Sequence, residues 1–274
     1  MSAFAQTAAA ANISAHGTTS MVLEPADFRR EFVCPEESMR YAGSLVQLVF
    51  GKLRDSAKQP VVVEFGSGTG EPVISAILNS QFSGVVHGYE VNAEASETAD
   101  RLIEEYGLAK KYIVHHASFF ETNHIPAADY LIANPPYVPC RDRTLLTLPD
   151  LCGGEDGNTV SKNLLSSGYK NVFLEVSSYS DPEDLVRHAH DEGYKITDFL
   201  LTPMTLGVYS RQDIVQERLN EMRAEGKAFF TRTSYFVGSA FFTKEETNEP
   251  DLSSDFLACL TAAGRQNQKV LRPA

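Results

Sequence analysis

Positive charge is in short supply in this sequence. Its 274 residues carry 24 Lys plus Arg against 36 Asp plus Glu, a formal net charge of −12. A field of that sign repels nucleic acid and anionic membrane surfaces unless a local basic patch overrides it, so the charge argues against both as partners. No stretch reaches the ~20 apolar residues that span a bilayer. The four Cys, at positions 34, 140, 152 and 259, include no C-x-x-C and no zinc-type spacing, and the seven His show no ligand spacing. No metal site is expected, and reduced thiols in a cytoplasmic protein are the natural reading. With 18 Gly and 13 Pro, close to average usage, and no internal repeat, collagen-like and low-complexity architectures are excluded. The first 21 residues lack the basic start and apolar run of a secretory signal, so a flexible Ala-rich tail is expected over 1–24. What is present, 43% hydrophobic and 10% aromatic residues, is enough for a substantial core.

The patterning alternates strand and helix. In the segment 36–56, Ala42, Leu45, Val46, Val49 and Leu53 fall on one helical face, within an N-terminal helical segment set at 25–58. VVVEF (61–65) reads as a buried strand, followed by a glycine-rich turn and the helix VISAILNSQ. Further strands are expected at 85–91, 112–118, 128–139, 171–180 and 195–202, with helices at 93–107, 158–169 and after Asp181, an N-cap ahead of Pro182. Ser210 is expected to cap an inserted helix over 210–226, ended by Gly226. One or two antiparallel strands over 228–244 close the series, and a polar extension with one short helix occupies 248–274. This alternation predicts an α/β, doubly wound, mostly parallel seven-stranded Rossmann-like sheet over 59–247, its last strand antiparallel.

Three motifs fall at the carboxyl ends of predicted strands, where open α/β sheets bind ligands. The first is Glu64-Phe65-Gly66-Ser67-Gly68-Thr69-Gly70, whose glycines allow close backbone approach and whose helix start adds free N–H donors. A dinucleotide fingerprint starting at Gly66 or Gly68 needs glycine at 71 or 73; Glu71 and Val73 stand there, which argues against a nicotinamide dehydrogenase. Glu64, inside an apolar strand, requires a partner, such as a ligand cation or a water network. The second motif is Glu90, whose distance from Gly70 suits an acid accepting from a ribose diol. The third is Asn134-Pro135-Pro136-Tyr137, a rigid strand stop. The Asn134 amide oxygen, the Pro135 carbonyl and the Tyr137 face together suit a planar substrate carrying an NH2 group.

The set resembles the class I S-adenosylmethionine-dependent methyltransferases with an N-P-P-Y motif. The segment FVCPEESMRYAGSLV before the first strand and Gly153-Gly154-Glu155-Asp156-Gly157 after the N-P-P-Y loop are similar to the release-factor glutamine methyltransferase branch. By this resemblance the turn with Glu64, Gly66, Ser67, Gly68 and Gly70 holds the methionine part of the cofactor, and Glu90 the ribose. Ser118 and Phe119, in HASFFE, contact adenine, and Asn134 borders the same cofactor. Asn134, Pro135 and Tyr137 are the expected catalytic residues. The departures are Ala117 and Ser118 in place of the family's Gly and Asp, the inserted helix, and only about 30 residues where that branch has a helical recognition domain of domain size. The resemblance implies N-methylation of a planar amino or amide group, with a protein glutamine or a small molecule as acceptor. A nucleobase amine, and cofactor binding without transfer, stay open as alternatives. Arg141 and Arg143, beside the N-P-P-Y loop, are candidates for holding a substrate carboxylate or phosphate.

Overall fold

The computed structural model describes residues 34–54, 56–244, 248–262 and 264. The expected tail over 1–24, the start of the helical segment (25–33) and the end of the C-terminal extension (265–274) lie outside the described residues.

Strand β1 (Val61–Phe65), β2 (Val85–Glu90), β3 (Tyr112–His116), β4 (Tyr130–Ala133), β5 (Asn171–Ser177), β6 (Lys195–Thr205) and β7 (Ser234–Thr243) form one sheet in the order β3-β2-β1-β4-β5-β7-β6. The first five pair in parallel, and β7 runs antiparallel to both β5 and β6. The expected architecture is therefore the observed one. Alternate residues of each buried strand face opposite sides. Val62, Ile132 and Phe173 join Tyr41 and Leu45 of α1 (Pro35–Leu45), Val73 and Ile77 of α2 (Glu71–Ser80), and Ala99 and Ile103 of α3 (Ala93–Glu105). Val63, Leu131 and Val172 join Leu164 of α4 (Thr159–Leu165), Leu185 and Ala189 of α5 (Pro182–Asp191), and Phe256 of the C-terminal helix. Burial on both faces explains why these strands read as continuous apolar runs.

A third, smaller core lies past one end of the sheet. β6 and β7 stay paired out to Thr205 and Ser234, beyond the point where β5 ends against Val237, so this hairpin projects past the sheet. Its connection carries α6 (Asp213–Ala224), whose Val215, Leu219 and Met222 pack on Tyr137, Val138, Tyr179 and Tyr235. The last described helix is α7 (Ser253–Leu260).

Helix α1 passes into a wider π turn over Val46–Phe50 before a final turn, Gly51–Leu53, and Ala42, Leu45, Val49 and Leu53 of the expected apolar face are buried along it. Two expectations are corrected. Ser210 does not cap α6: its hydroxyl donates to the Gly207 carbonyl, and the helix begins at Asp213 after Gln212. Cys140 and Cys152 are not thiols but a disulfide with Cα atoms 5.8 Å apart. The segments carrying them already run side by side, since Val138 bridges Cys152 and the Cys140 amide donates to the Gly154 carbonyl at 2.9 Å. Cysteine usage thus gives no reason to favour a reducing compartment, and Cys34 and Cys259 are the free cysteines. Among the described residues no helix is long and apolar enough to cross a membrane.

Candidate active site

Strand register brings the three motifs to one edge. Phe65 pairs with both Tyr89 and Ala133, so Gly66, Glu90 and Asn134 are the next residues on three adjacent strands. Ala133 pairs with Leu174, which extends the row to Glu175 on β5 and its partner Ser239 on β7. The row lies at the carboxyl edge of the parallel strands, on the topological switch between β1 and β4.

The glycine turn has the backbone that its residues imply. Gly66, Gly68 and Gly70 take φ of +68°, +54° and +74°. A Cβ added at Gly66 or Gly68 would meet nothing within 4 Å, so the space before this backbone is open to a ligand. Gly70 caps α2 in the left-handed conformation, and its Cβ position lies only 3.0 Å from the Tyr112 ring. Glu90 ties the turn to the next strand. Its Oε2 accepts from the Gly68 amide and its Oε1 from the Asn92 amide, both at 2.8 Å. Each carboxylate oxygen keeps a further lone pair for a hydroxyl. Asn92 in turn caps α3 by accepting from the Ala95 amide at 3.1 Å.

Ser118 and Phe119, the residues expected at adenine, differ in exposure. Ser118 is half-buried just past β3, beside the Ala117 amide that donates to the Glu90 carbonyl at 2.9 Å. Phe119, by contrast, is only 6% exposed and packs edge-on to Phe65 and Tyr89, whereas Phe120 is 49% exposed. Phe120 is the more exposed of the two rings, tilted against Phe65 and edge-on to Phe119.

Glu64 receives its partner from the protein. It is buried at 2% exposure, and the Tyr112 hydroxyl donates to its Oε2 at 2.5 Å, so the expected ligand cation or water is replaced by a tyrosine. Burial raises its carboxyl to about 8, the Tyr112 bond opposes this, and the Glu90 charge adds to it. The folded value lies above the ordinary carboxylate range near ~4.3. The protonated group therefore contributes stability that is full below about pH 4 and is lost as pH rises through about 8. Glu64→Gln is expected to flatten this slope: urea midpoints at about pH 5 and about pH 9 should differ less than in the parent. An unchanged difference would show that Glu64 ionises freely.

The N-P-P-Y segment is held from an unexpected direction. Glu37, in the first turn of α1, is 4% exposed. Its Oε1 accepts from Asn134 Nδ2 at 3.2 Å and from the Tyr137 hydroxyl at 2.5 Å. Tyr137 is 9% exposed, with its ring against Tyr179 and its hydroxyl 3.4 Å from that of Tyr235. Its ring is thus not free to stack on a substrate, and the expected stacking role is corrected: it is a wall and a ligand of Glu37. Burial, then the Glu37 charge, hold its hydroxyl well above the usual tyrosine range. Asn134 Oδ1 is buried with no hydrogen-bond partner among the described residues. Pro135, its neighbour in the chain, is buried.

Below this pair lies a buried ion pair. Arg40 Nη1 donates to Glu175 Oε2 at 2.5 Å, and the Ser239 hydroxyl donates to the same carboxylate. Arg141 and Arg143 are not poised for a substrate anion. Arg141 pairs with Glu155 and Glu221, and Arg143 with Asp150 at 2.7 Å. Among the described residues no group of His, Cys, Asp and Glu could hold a metal ion.

Sequence reasoning missed Glu37, Arg40, Tyr112 and Glu175. Glu175 had a usable signal, an acid inside the apolar run VFLEV, the same anomaly that marks Glu64 in VVVEF. Glu37 lies inside the segment FVCPEESMRYAGSLV that carries part of the resemblance, but an acid in a first helical turn is also ordinary dipole compensation, so it does not stand out.

No protein-family model matches the chain. Over 124 residues it is 27% identical to the ribosomal protein uL3 glutamine methyltransferase of Bordetella pertussis, a match covering 42% of this chain. That stretch is 41% of the relative, so the chain spans less than half of the curated protein it matches. Among solved structures it is similar to M. jannaschii TYW2 in complex with AdoMet, 15% identical with a TM-score of 0.44, over 77% of this chain and 75% of that one. It is similar to precorrin-6y C5,15-methyltransferase from Geobacter metallireducens, 12% identical with a TM-score of 0.43, over 72% and 85%. The [4+2]-cyclase SpnF is 10% identical with a TM-score of 0.44, over 73% and 80%. A fold does not by itself fix a function, which rests here on the residues of the site.

Proposed function

We propose that this protein is an S-adenosylmethionine-dependent methyltransferase whose acceptor is a planar amino or amide nitrogen, a protein glutamine or a small molecule. The observation that carries the reading is Asn134 Oδ1, a buried acceptor atom without a partner at the strand edge that also holds the glycine turn and Glu90. Buried polar atoms are nearly always satisfied, so an orphan in line with a ligand cradle calls for a donor from a ligand. The similarity to a protein that methylates a glutamine of a ribosomal protein supports an amide donor.

The residues present fit the cofactor. The open backbone at Gly66 and Gly68 would take the methionine end, the remaining Glu90 lone pairs the ribose hydroxyls, and Ser118 with the exposed Phe120 ring the adenine. S-adenosylmethionine, when bound, supplies a methyl group activated by an adjacent sulfonium. The protein's part is to aim the acceptor, because an amide or aryl amine delocalises its lone pair and is a poor nucleophile. Asn134 Oδ1 and the Pro135 carbonyl accept one N–H each. That fixes the plane of the group and favours the pyramidal nitrogen on which positive charge develops. The hairpin β6–β7 with α6 packs behind Tyr137 and keeps that side of the loop dry.

Tritiated methyl transfer from S-adenosylmethionine into a fractionated lysate tests the reading. Label in protein or small molecules supports it; label only in nucleic acid, or none, overturns it. Glu90→Ala is expected to lose ~1.5–3 kcal/mol of cofactor affinity by calorimetry, the scale of hydrogen bonds to a charged group. NAD binding more tightly than S-adenosylmethionine would sink the cofactor assignment.

A further inference from the structure

The Glu37 carboxylate faces two groups of the N-P-P-Y segment at once, and this has a chemical consequence. An ionised carboxylate is an acceptor only, while an asparagine amide carries a donor end and an acceptor end. Where Glu37 Oε1 lies 3.2 Å from the Asn134 amide, the end turned towards it must be Nδ2. The other end, Oδ1, is then compelled to point away, and it is the buried atom without a partner. The Tyr137 hydroxyl donates to the same Oε1 at 2.5 Å and so fixes the carboxylate that fixes the amide. Glu37 comes from α1, far from Asn134 in sequence, and α1 is itself anchored to the sheet by the Arg40–Glu175 pair one helical turn further on.

We infer that Glu37 is a positioning residue: it holds the Asn134 amide in the one orientation that presents Oδ1, an acceptor, to the N–H of the methyl acceptor. This rests on the function proposed above for Asn134 and adds the element that sets its polarity. With the amide reversed, two N–H donors would meet the donor groups of an incoming NH2, and binding would be repulsive. Glu37→Gln removes the compulsion, because a glutamine can offer either its oxygen or its NH2 and so permits both orientations of Asn134.

The test has a spectroscopic arm and a kinetic arm. In protein labelled with 15N-asparagine, the Asn134 side-chain NH2 resonances, assigned by their loss in Asn134→Ala, should show cross-relaxation to the Glu37 methylene protons. They should also exchange slowly with solvent. Glu37→Gln should shift these resonances and speed exchange; unchanged shifts and exchange, or no cross-relaxation in the unaltered protein, would overturn the inference without any methyl acceptor. The unaltered protein keeps this arm decisive even if the variant folds poorly. Kinetically, with the lysate fraction that takes label as the acceptor, Glu37→Gln should lower turnover about tenfold, the scale of one hydrogen bond to a charged group. Cofactor affinity should stay within about twofold. In the Asn134→Ala background the same change should cost nothing further, the sign of two residues acting as one unit. Multiplying losses would mean that Glu37 acts on stability alone and would reject the inference. Absence of transfer by the parent rejects the proposed function instead and leaves the spectroscopic result standing.

Discussion

Asn134→Ala is expected to fold, to bind S-adenosylmethionine within a few-fold of the parent, and to lose about 10²–10³ in methyl transfer, or ~2.7–4 kcal/mol. The reason is where the side chain sits. Its Nδ2 is held by Glu37 and its Oδ1 is buried without a partner, so truncation removes a preorganised acceptor. The glycine turn is held separately, by the Gly66 amide on the Tyr89 carbonyl at 3.0 Å and by Gly68 on Glu90. Neither bond involves Asn134, so cofactor affinity should survive. Asn134→Asp discriminates further, because it keeps an acceptor but places a second carboxylate against the buried Glu37. Like charges in a dry site repel strongly, so the variant should either keep one of the two carboxyls protonated or push the loop apart. Single-turnover transfer and calorimetry on both variants check this. Near-parental turnover in Asn134→Ala would remove the residue from the chemistry. Joint loss of cofactor binding and turnover would make it part of the cofactor pocket instead.

The legible part of this molecule is the part written locally. VVVEF followed by GSGTG carries a strand, a turn that needs positive φ and a helix start within a dozen residues, and each appears where expected. Pro135 and Pro136 stop β4 because proline cannot continue a ladder, although the strand ends at Ala133, before them. The mostly parallel sense of the sheet also followed from short alternating links. The supports of the site were not legible, because each is a contact between segments far apart in the chain. Glu37 reaches Tyr137, and Tyr112 reaches Glu64, only through the completed sheet. Tyr137 shows the hazard most clearly. Its motif promises an open aromatic face, yet packing with Tyr179, Tyr235 and α6 turns the ring inward. The pairing of Cys140 with Cys152 is of the same kind, since their spacing alone marks nothing and backbone contacts between 138–140 and 151–154 bring them together.

Arg40→Ala is expected to destabilise the fold by about 3–5 kcal/mol, the cost of leaving a buried carboxylate uncompensated. The Arg40 and Glu175 side chains are 6% and 0% exposed, so solvent screens the pair little. Arg40 Nε and Nη2 are buried without hydrogen-bond partners among the described residues, which makes the guanidinium itself costly to hold. The pair is therefore not a stabiliser in its own right. Replacing both members by apolar residues, as in Arg40→Met with Glu175→Leu, should be far milder than Arg40→Ala alone, and near neutral if Ser239 repacks. The pH dependence follows from Glu175, whose carboxyl burial raises while Arg40 and Ser239 pull it back down. Removing Arg40 lifts it further. A carboxyl whose folded value is raised contributes stability below the ordinary range and loses it as pH rises through the folded value. The penalty for Arg40→Ala should accordingly be smallest in acid, below the raised folded value of Glu175, and grow as pH rises through it. Urea unfolding of the single and double variants across that range separates the alternatives. A penalty that does not change with pH would place the loss in the packing of the Arg40 stem and not in its charge, and a double variant as unstable as Arg40→Ala would mean that the ion pair holds α1 and Glu37 in place.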